Sequence, residues 1–97
     1  MAPVKLSDDE VDARLDALPD WSRPGEEIQR TYRFKDFVEA MAFVAKVADR
    51  AEAVQHHPDI LIRWNRVTLS LSTHDCGGIS EKDFSFAREA DAMAAGR

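Results

Sequence analysis

Ahead of three apolar-periodic segments of this chain a Ser or Asp is followed three positions later by an acid: Ser7 with Glu10, Asp36 with Glu39, and Ser80 with Asp83. In that spacing the first side chain caps free amides of a helix's first turn and the acid can reach back to the cap's own amide, so each pair marks a helix start. Two are framed by the apolar pair of a hydrophobic staple, Leu6 with Val11 and Ile79 with Phe84. Three helix starts spread along 97 residues leave extended segments only in the gaps between them, which restricts the fold to a few layered arrangements.

The first helix is expected over Asp8 to Leu18, with Val11, Leu15 and Leu18 as its apolar stripe and Pro19 as its stop. Trp21 follows a turn and covers part of the core, and Pro24-Gly25 marks a second turn. From Ile28 to Phe34 the residues alternate, with Ile28, Tyr32 and Phe34 on one face and Gln29, Thr31 and Arg33 on the other, which is the period of a half-buried strand. The helix opened by Asp36 carries Phe37, Met41, Val44, Ala48 and Ala51 at spacings of three or four. Pro58 disfavours helical geometry at His57, so this helix ends near Val54 or Gln55 and leaves the histidine pair in an extended loop.

Ile60 to Trp64 and Val67 to Thr73 read as two strands joined by Asn65-Arg66, with His74 at the strand end on the polar side shared by Thr68, Ser70 and Ser72. Gly77-Gly78 breaks the strand before the last helix, whose inner stripe of Phe84, Ala87, Ala90, Asp91 and Ala94 is made imperfect by the aspartate. The order helix, strand, helix, strand, strand, helix predicts an α+β fold, an antiparallel sheet with helices on one face, with room for a short strand near Trp21. A chain of this length fits one domain over residues 1–97.

Charge and cysteine usage narrow the function classes. Asp plus Glu number 18 against 13 Lys plus Arg, a formal charge of −5, which argues against direct binding to nucleic acid or an anionic membrane. Cys76 is the only cysteine, so no intrachain disulfide can form, and no secretory signal or run of 18 apolar residues occurs. The expected location is the cytoplasm.

His56, His57 and His74 hold the entire histidine supply within 19 residues. Imidazole titrates near neutral pH, so a cluster of this kind suits acid/base chemistry, while helix capping and metal ligation are the competing readings. Adjacent residues in extended chain point to opposite sides and no paired-cysteine or HExxH spacing is present, which weighs against metal. Cys76 could pair with His74 as a nucleophile, but no third orienting group is evident, and a small buried cysteine is the plainer reading. Asp83 has an ordinary role in a capping box and Glu52 as a solvated helix residue one turn before His56; each could also orient an imidazole. Trp64 reads as core, or as an aromatic wall beside the histidine loop.

Glu52, three residues, His56-His57-Pro58, five residues, Trp64, nine residues, His74, eight residues and Asp83 together resemble the signature of the pterin-4a-carbinolamine dehydratases. The segment Leu71 to Asp83 is similar to that family's strand, turn and last-helix start, and Leu18-Pro19-Asp20-Trp21 and Phe34-Lys35-Asp36-Phe37 are similar as well. The resemblance implies a four-stranded antiparallel sheet with three helices packed on one face. It implies dehydration of 4a-hydroxytetrahydrobiopterin to quinonoid dihydrobiopterin, in recycling of the tetrahydrobiopterin spent by aromatic amino acid hydroxylases. His56, His57 and His74 would be catalytic, with His56 and His74 as proton donor and acceptor and His57 chiefly binding the ring. Pro58, Thr73, Asp75 and Cys76 would join the histidines in lining the pterin site, and Glu52, Trp64 and Asp83 would support them. No metal or cofactor is implied, and a homodimer or homotetramer is expected from exposed strand edges. The alternative role is that of a binding protein which stabilises the dimer of a homeodomain transcription factor through the exposed face of the Asp36 to Gln55 helix.

Overall fold

The computed structural model describes residues 3–96. Its elements are α1 (Asp8–Leu15), β1 (Ile28–Arg33), α2 (Phe37–Val54), β2 (Asp59–Arg63), β3 (Arg66–Leu71), one turn of 3-10 helix (His74–Cys76) and α3 (Glu81–Ala95). All three cap signatures open helices. Ser7 Oγ accepts the Glu10 amide while Glu10 Oε1 accepts the Ser7 amide, and Asp36 Oδ1 accepts the Glu39 amide. Asp83 Oδ2 accepts the Ser80 amide, closing the third box. α1 stops three residues short of Leu18, because Pro19 disfavours helical geometry at Leu18 and the chain tightens into turns such as Leu18 N–H to Leu15 C=O at 2.9 Å.

The antiparallel sheet has the order β1-β3-β2, with Ile28 opposite Leu71 and Ile60 opposite Leu69. Among the described residues it has three strands, not the four implied by the resemblance. Near Trp21 the chain makes a single antiparallel bridge, Ser22 with Gln29, closed by hydrogen bonds of 2.9 and 2.8 Å. Pairing cannot lengthen past Ser22 toward the start of β1, since Pro24, the next position that would donate across the pair, has no amide to give.

Ile28 and Tyr32 on β1 and Val67, Leu69 and Leu71 on β3 form the buried face of the sheet. They share one core cluster with Val11 of α1, Ala40, Phe43, Val47 and Ala51 of α2, and Phe84, Ala87, Ala90 and Ala94 of α3. The buried stripe of α2 therefore differs from the expected one: Phe37 is 46% and Met41 37% exposed. α2 carries apolar residues around most of its circumference, so two stripes satisfy the helical period and only tertiary packing selects between them. An ion pair of Arg50 with Glu89 ties α2 to α3 outside the core.

The hairpin turn also shifts by one residue. Arg63 pairs with Arg66, so the loop is Trp64-Asn65, and the positive φ of 52° falls on Trp64. Asn65 instead ties the turn to the end of β1, its amide side chain donating to Phe34 C=O at 3.0 Å and its own carbonyl accepting Phe34 N–H at 2.8 Å. Trp64, expected in the core or near the histidines, is 65% exposed at this remote turn. Among the described residues no helix is long and apolar enough to cross a membrane.

Candidate functional site: three imidazoles around one cleft

The site forms where α2 ends. Gln55 takes the left-handed conformation (φ 54°, ψ 45°), and the His56 amide reaches back to Ala51 C=O at 3.2 Å, a Schellman-type closure. This reversal turns His56 inward, where its side chain is 12% exposed and its Nε2 lies 2.6 Å from Asp83 Oδ1. His57, in extended chain before Pro58, points the other way and places Nε2 2.5 Å from Glu52 Oε2. Glu52 therefore meets His57 and not His56, since the helix is broken before the one-turn spacing from Glu52 to His56 is completed.

Asp83 is fully buried, and its two oxygens receive three donors. Oδ2 accepts the Ser80 amide at 2.9 Å and the Thr73 hydroxyl at 2.8 Å, while Oδ1 faces His56. Because the Thr73 proton goes to Asp83, the 2.6 Å contact between Thr73 and Ser80 must be donated by Ser80, whose oxygen in turn accepts the Lys82 amide at 3.2 Å. The network is closed, and no buried side-chain nitrogen or oxygen among the described residues lacks a partner. With carboxylates on Nε2, neutral His56 and His57 each carry the proton on that nitrogen and keep the Nδ1 lone pair for other work.

β3 ends at Leu71, and a Thr73–Gly78 bridge then closes a single 3-10 turn. His74 begins that turn and does not stand at a strand end. It is exposed, and while its carbonyl accepts the Gly77 amide at 3.1 Å, its imidazole forms no hydrogen bond among the described residues. His56, His57 and His74 line one cleft of about 260 Å³ together with Thr73, Asp75 and Lys82.

The other expected site residues fall outside the walls of this cleft. Pro58 is half-buried and fixes the chain between His57 and β2. The Cys76 thiol points back to Thr73 C=O at 3.5 Å and Gly78 C=O at 3.7 Å, so it serves the turn and does not pair with His74. Trp64 lies at the far end of β2, about 16 Å along the strand from Asp59. Lys82 and Ser72, which also line the cleft, were missed by sequence reasoning; the alternation of Ser70, Ser72 and His74 along one side was the available signal. Among the described residues no group of three or more His, Cys, Asp or Glu side chains could hold a metal ion.

The family model described as pterin 4 alpha carbinolamine dehydratase matches residues 4–93. A Roseiflexus sp. (strain RS-1) protein, provisionally named a pterin-4-alpha-carbinolamine dehydratase, is 53% identical over 88 residues, covering 91% of this chain and 95% of its own. The crystal structure of a transcriptional coactivator/pterin dehydratase from Brucella melitensis superposes with a TM-score of 0.89 at 38% identity, covering 93% of this chain and 98% of that one. A pterin dehydratase-like protein described as a RuBisCO assembly factor in the alpha-carboxysome shares the fold, with a TM-score of 0.68 at 24% identity over 77% of this chain and 89% of that one.

Proposed function

Because the chain belongs to the pterin 4 alpha carbinolamine dehydratase family, we propose that it dehydrates a 4a-hydroxytetrahydropterin to the quinonoid dihydropterin by imidazole acid/base catalysis. The observation that carries this reading is the convergence of three imidazoles on one cleft, two backed by carboxylates and one with no partner among the described residues. The reaction breaks the C4a–O bond, and the leaving oxygen needs a proton to depart as water. The adjacent ring N–H loses its proton as the C=N bond forms, so one donor and one acceptor complete the step.

His56 suits the acceptor role, since the buried Asp83 carboxylate on Nε2 stabilises the imidazolium formed when Nδ1 takes the ring proton. His74, whose imidazole has no partner among the described residues, delivers a proton to the leaving oxygen, and His57 holds the ring with Glu52 fixing its orientation. Thr73 and Asp75 line the same cleft, and Pro58 and Cys76 support it through the chain bends on either side. No step requires a metal or an organic cofactor. A second copy joined along β2 belongs to the same reading: β2 is the outer strand of the sheet, and Leu61 on it is 55% exposed.

Stopped-flow decay of 4a-hydroxytetrahydropterin tests the proposal. Acceleration by the protein, unchanged by a chelator, is expected; decay at the uncatalysed rate would refute it. A second reading, as a binding protein, rests on the exposed apolar start of α2, where Phe37 is 46% and Val38 76% exposed. Partner capture that is abolished by Val38→Asp, with no pterin turnover by the parent protein, would favour that reading.

A further inference from the structure

The histidine cleft continues into a second lobe on the open face of the sheet. Register sets Asp59 opposite Ser70, and Ser70 opposite Gln29, so these residues share the face away from the helices. His57 and Ser72, just beyond the ends of β2 and β3, and His74, in the 3-10 turn, border the same side. Glu27, His57, Asp59, Ser70, Ser72 and His74 line a lobe of about 210 Å³, which has His57, Ser72 and His74 in common with the imidazole cleft. The two volumes therefore form one elongated site.

Acceptors predominate in this lobe, whose donors are the Ser70 hydroxyl hydrogen and the imidazoles. The Ser72 hydroxyl donates to Glu26 C=O at 2.9 Å, leaving its oxygen as an acceptor, and Gln29 Nε2 donates to Ser70 Oγ at 3.0 Å. The carboxylates of Glu27 and Asp59 have no hydrogen-bond or ion-pair partner among the described residues, although Arg14, Arg23, Arg30, Arg50 and Arg88 are all paired with acids elsewhere. The ligand edge that meets these two carboxylates must bring N–H donors and no negative charge of its own. The pyrimidine half of a pterin has that character: its 2-amino group and N3–H point the same way, a donor pair that one carboxylate accepts with both oxygens.

We propose that Asp59 accepts the 2-amino and N3–H donors of the pterin ring, with Glu27 reinforcing the preference for a donor-bearing edge. The two carboxylates thereby select 2-amino-4-oxo pteridines over 2,4-dioxo ones. This inference rests on the pterin dehydratase reading above. It adds the part of the site that recognises the ring, on the far side of His57 and His74 from Asp83.

The test is a binding measurement that does not depend on turnover. Dissociation constants for a 7,8-dihydropterin and for its 2-oxo analogue are measured by ligand fluorescence with the parent protein, Asp59→Asn and Glu27→Gln, each first shown to melt like the parent. Asp59→Asn is expected to weaken the 2-amino ligand by roughly 10- to 100-fold, the scale of a lost charged hydrogen bond, and to shrink the preference over the 2-oxo analogue toward unity. Glu27→Gln should move both quantities in the same direction by less. In turnover, the rise in KM on Asp59→Asn should exceed the fall in kcat. An equal loss for both ligands, or no loss, overturns the inference while leaving the dehydratase reading intact if the parent protein turns substrate over. Discrimination that vanishes on Asp59→Asn in a protein without turnover supports the inference and removes the reaction instead. A parent protein that binds neither ligand overturns both.

Discussion

Asp83 Oδ1 lies 2.6 Å from His56 Nε2, while the other oxygen of the same carboxylate receives the Ser80 amide at the start of α3. One buried acid thus caps a helix and orients an imidazole, and two substitutions separate the duties. Asp83→Asn can still accept the Ser80 amide through its carbonyl, but its NH₂ would then face His56 and force Nε2 to become an acceptor, which moves the imidazole proton to Nδ1. The dehydration rate should fall roughly 100-fold, with a modest loss of stability. Asp83→Ala leaves the Ser80 amide, the Thr73 hydroxyl and His56 without an acceptor and should cost about 3 kcal/mol in urea melts as well. Equal rates for the parent and Asp83→Asn would remove the tautomer argument.

His74 offers the reverse test. Its side chain is exposed, makes no hydrogen bond among the described residues and contributes nothing to the core. His74→Ala should lower kcat by roughly 100-fold while changing stability by less than about 0.5 kcal/mol. A large drop in melting temperature with a small drop in rate would assign this histidine to the turn and not to the chemistry.

Much of this arrangement was legible in the sequence because it rests on short-range rules. The three caps set where helices begin, and Pro58 required the break that turns His56 and His57 to opposite sides. What the sequence hid was decided by long-range packing. Glu52 lies at helical spacing from His56, and only the left-handed Gln55 redirects it to His57. Trp64 stands within the spacing pattern of the site, yet the hairpin carries it to the opposite end of β2, a displacement that no local periodicity reports. Asp91 looked like a flaw in the inner stripe of α3 because its partners, Trp21, Arg30 and Tyr32, lie about sixty to seventy positions earlier in the chain.

Acid should loosen the first and last helices together. The backbone amide and hydroxyl of Ser7 hold the Glu10 carboxyl below its ordinary pKa of 4.5. Burial pushes Glu81 upward, but the hydrogen bonds of Arg88 and Arg14 outweigh it and leave that carboxyl lowered too. A lowered folded-state pKa means stability that is present above the unfolded value and is lost as pH falls through the folded one. Both groups are solvent-screened, so the effect is small, and it should appear as a melting temperature that declines below about pH 4.5. Glu81→Gln should flatten that decline; an unchanged slope would show that Arg14 and Arg88 add nothing.

Asp91, a partly buried acid, is a second test, and it should separate stability from the site. Its Oδ1 accepts the Tyr32 hydroxyl at 2.5 Å, Arg30 Nη1 at 2.8 Å and Trp21 Nε1 at 3.0 Å, and the Arg30 guanidinium lies 4.3 Å from the centroid of the Tyr32 ring. Trp21 and Tyr32 are 5% and 2% exposed, so Asp91→Ala strands two buried donors and leaves Arg30 with only its 3.5 Å contact to Asp20. The expected cost is about 3 kcal/mol, a fall of roughly 10–20 °C in melting temperature for a domain of this size. Asp91→Asn keeps a carbonyl acceptor and should cost about a third as much. Burial and the Asp91 hydrogen bond raise the Tyr32 pKa well above that of a free phenol. The corresponding stability is present below the unfolded phenol value and is lost as pH rises past about 10. Removing Asp91 should therefore also weaken the alkaline dependence, with burial sustaining the remainder. Neither variant touches the histidine cleft, so turnover per folded molecule should match the parent at temperatures below the melt. A fall in kcat there would mean that the far end of α3 communicates with Asp83 at its start.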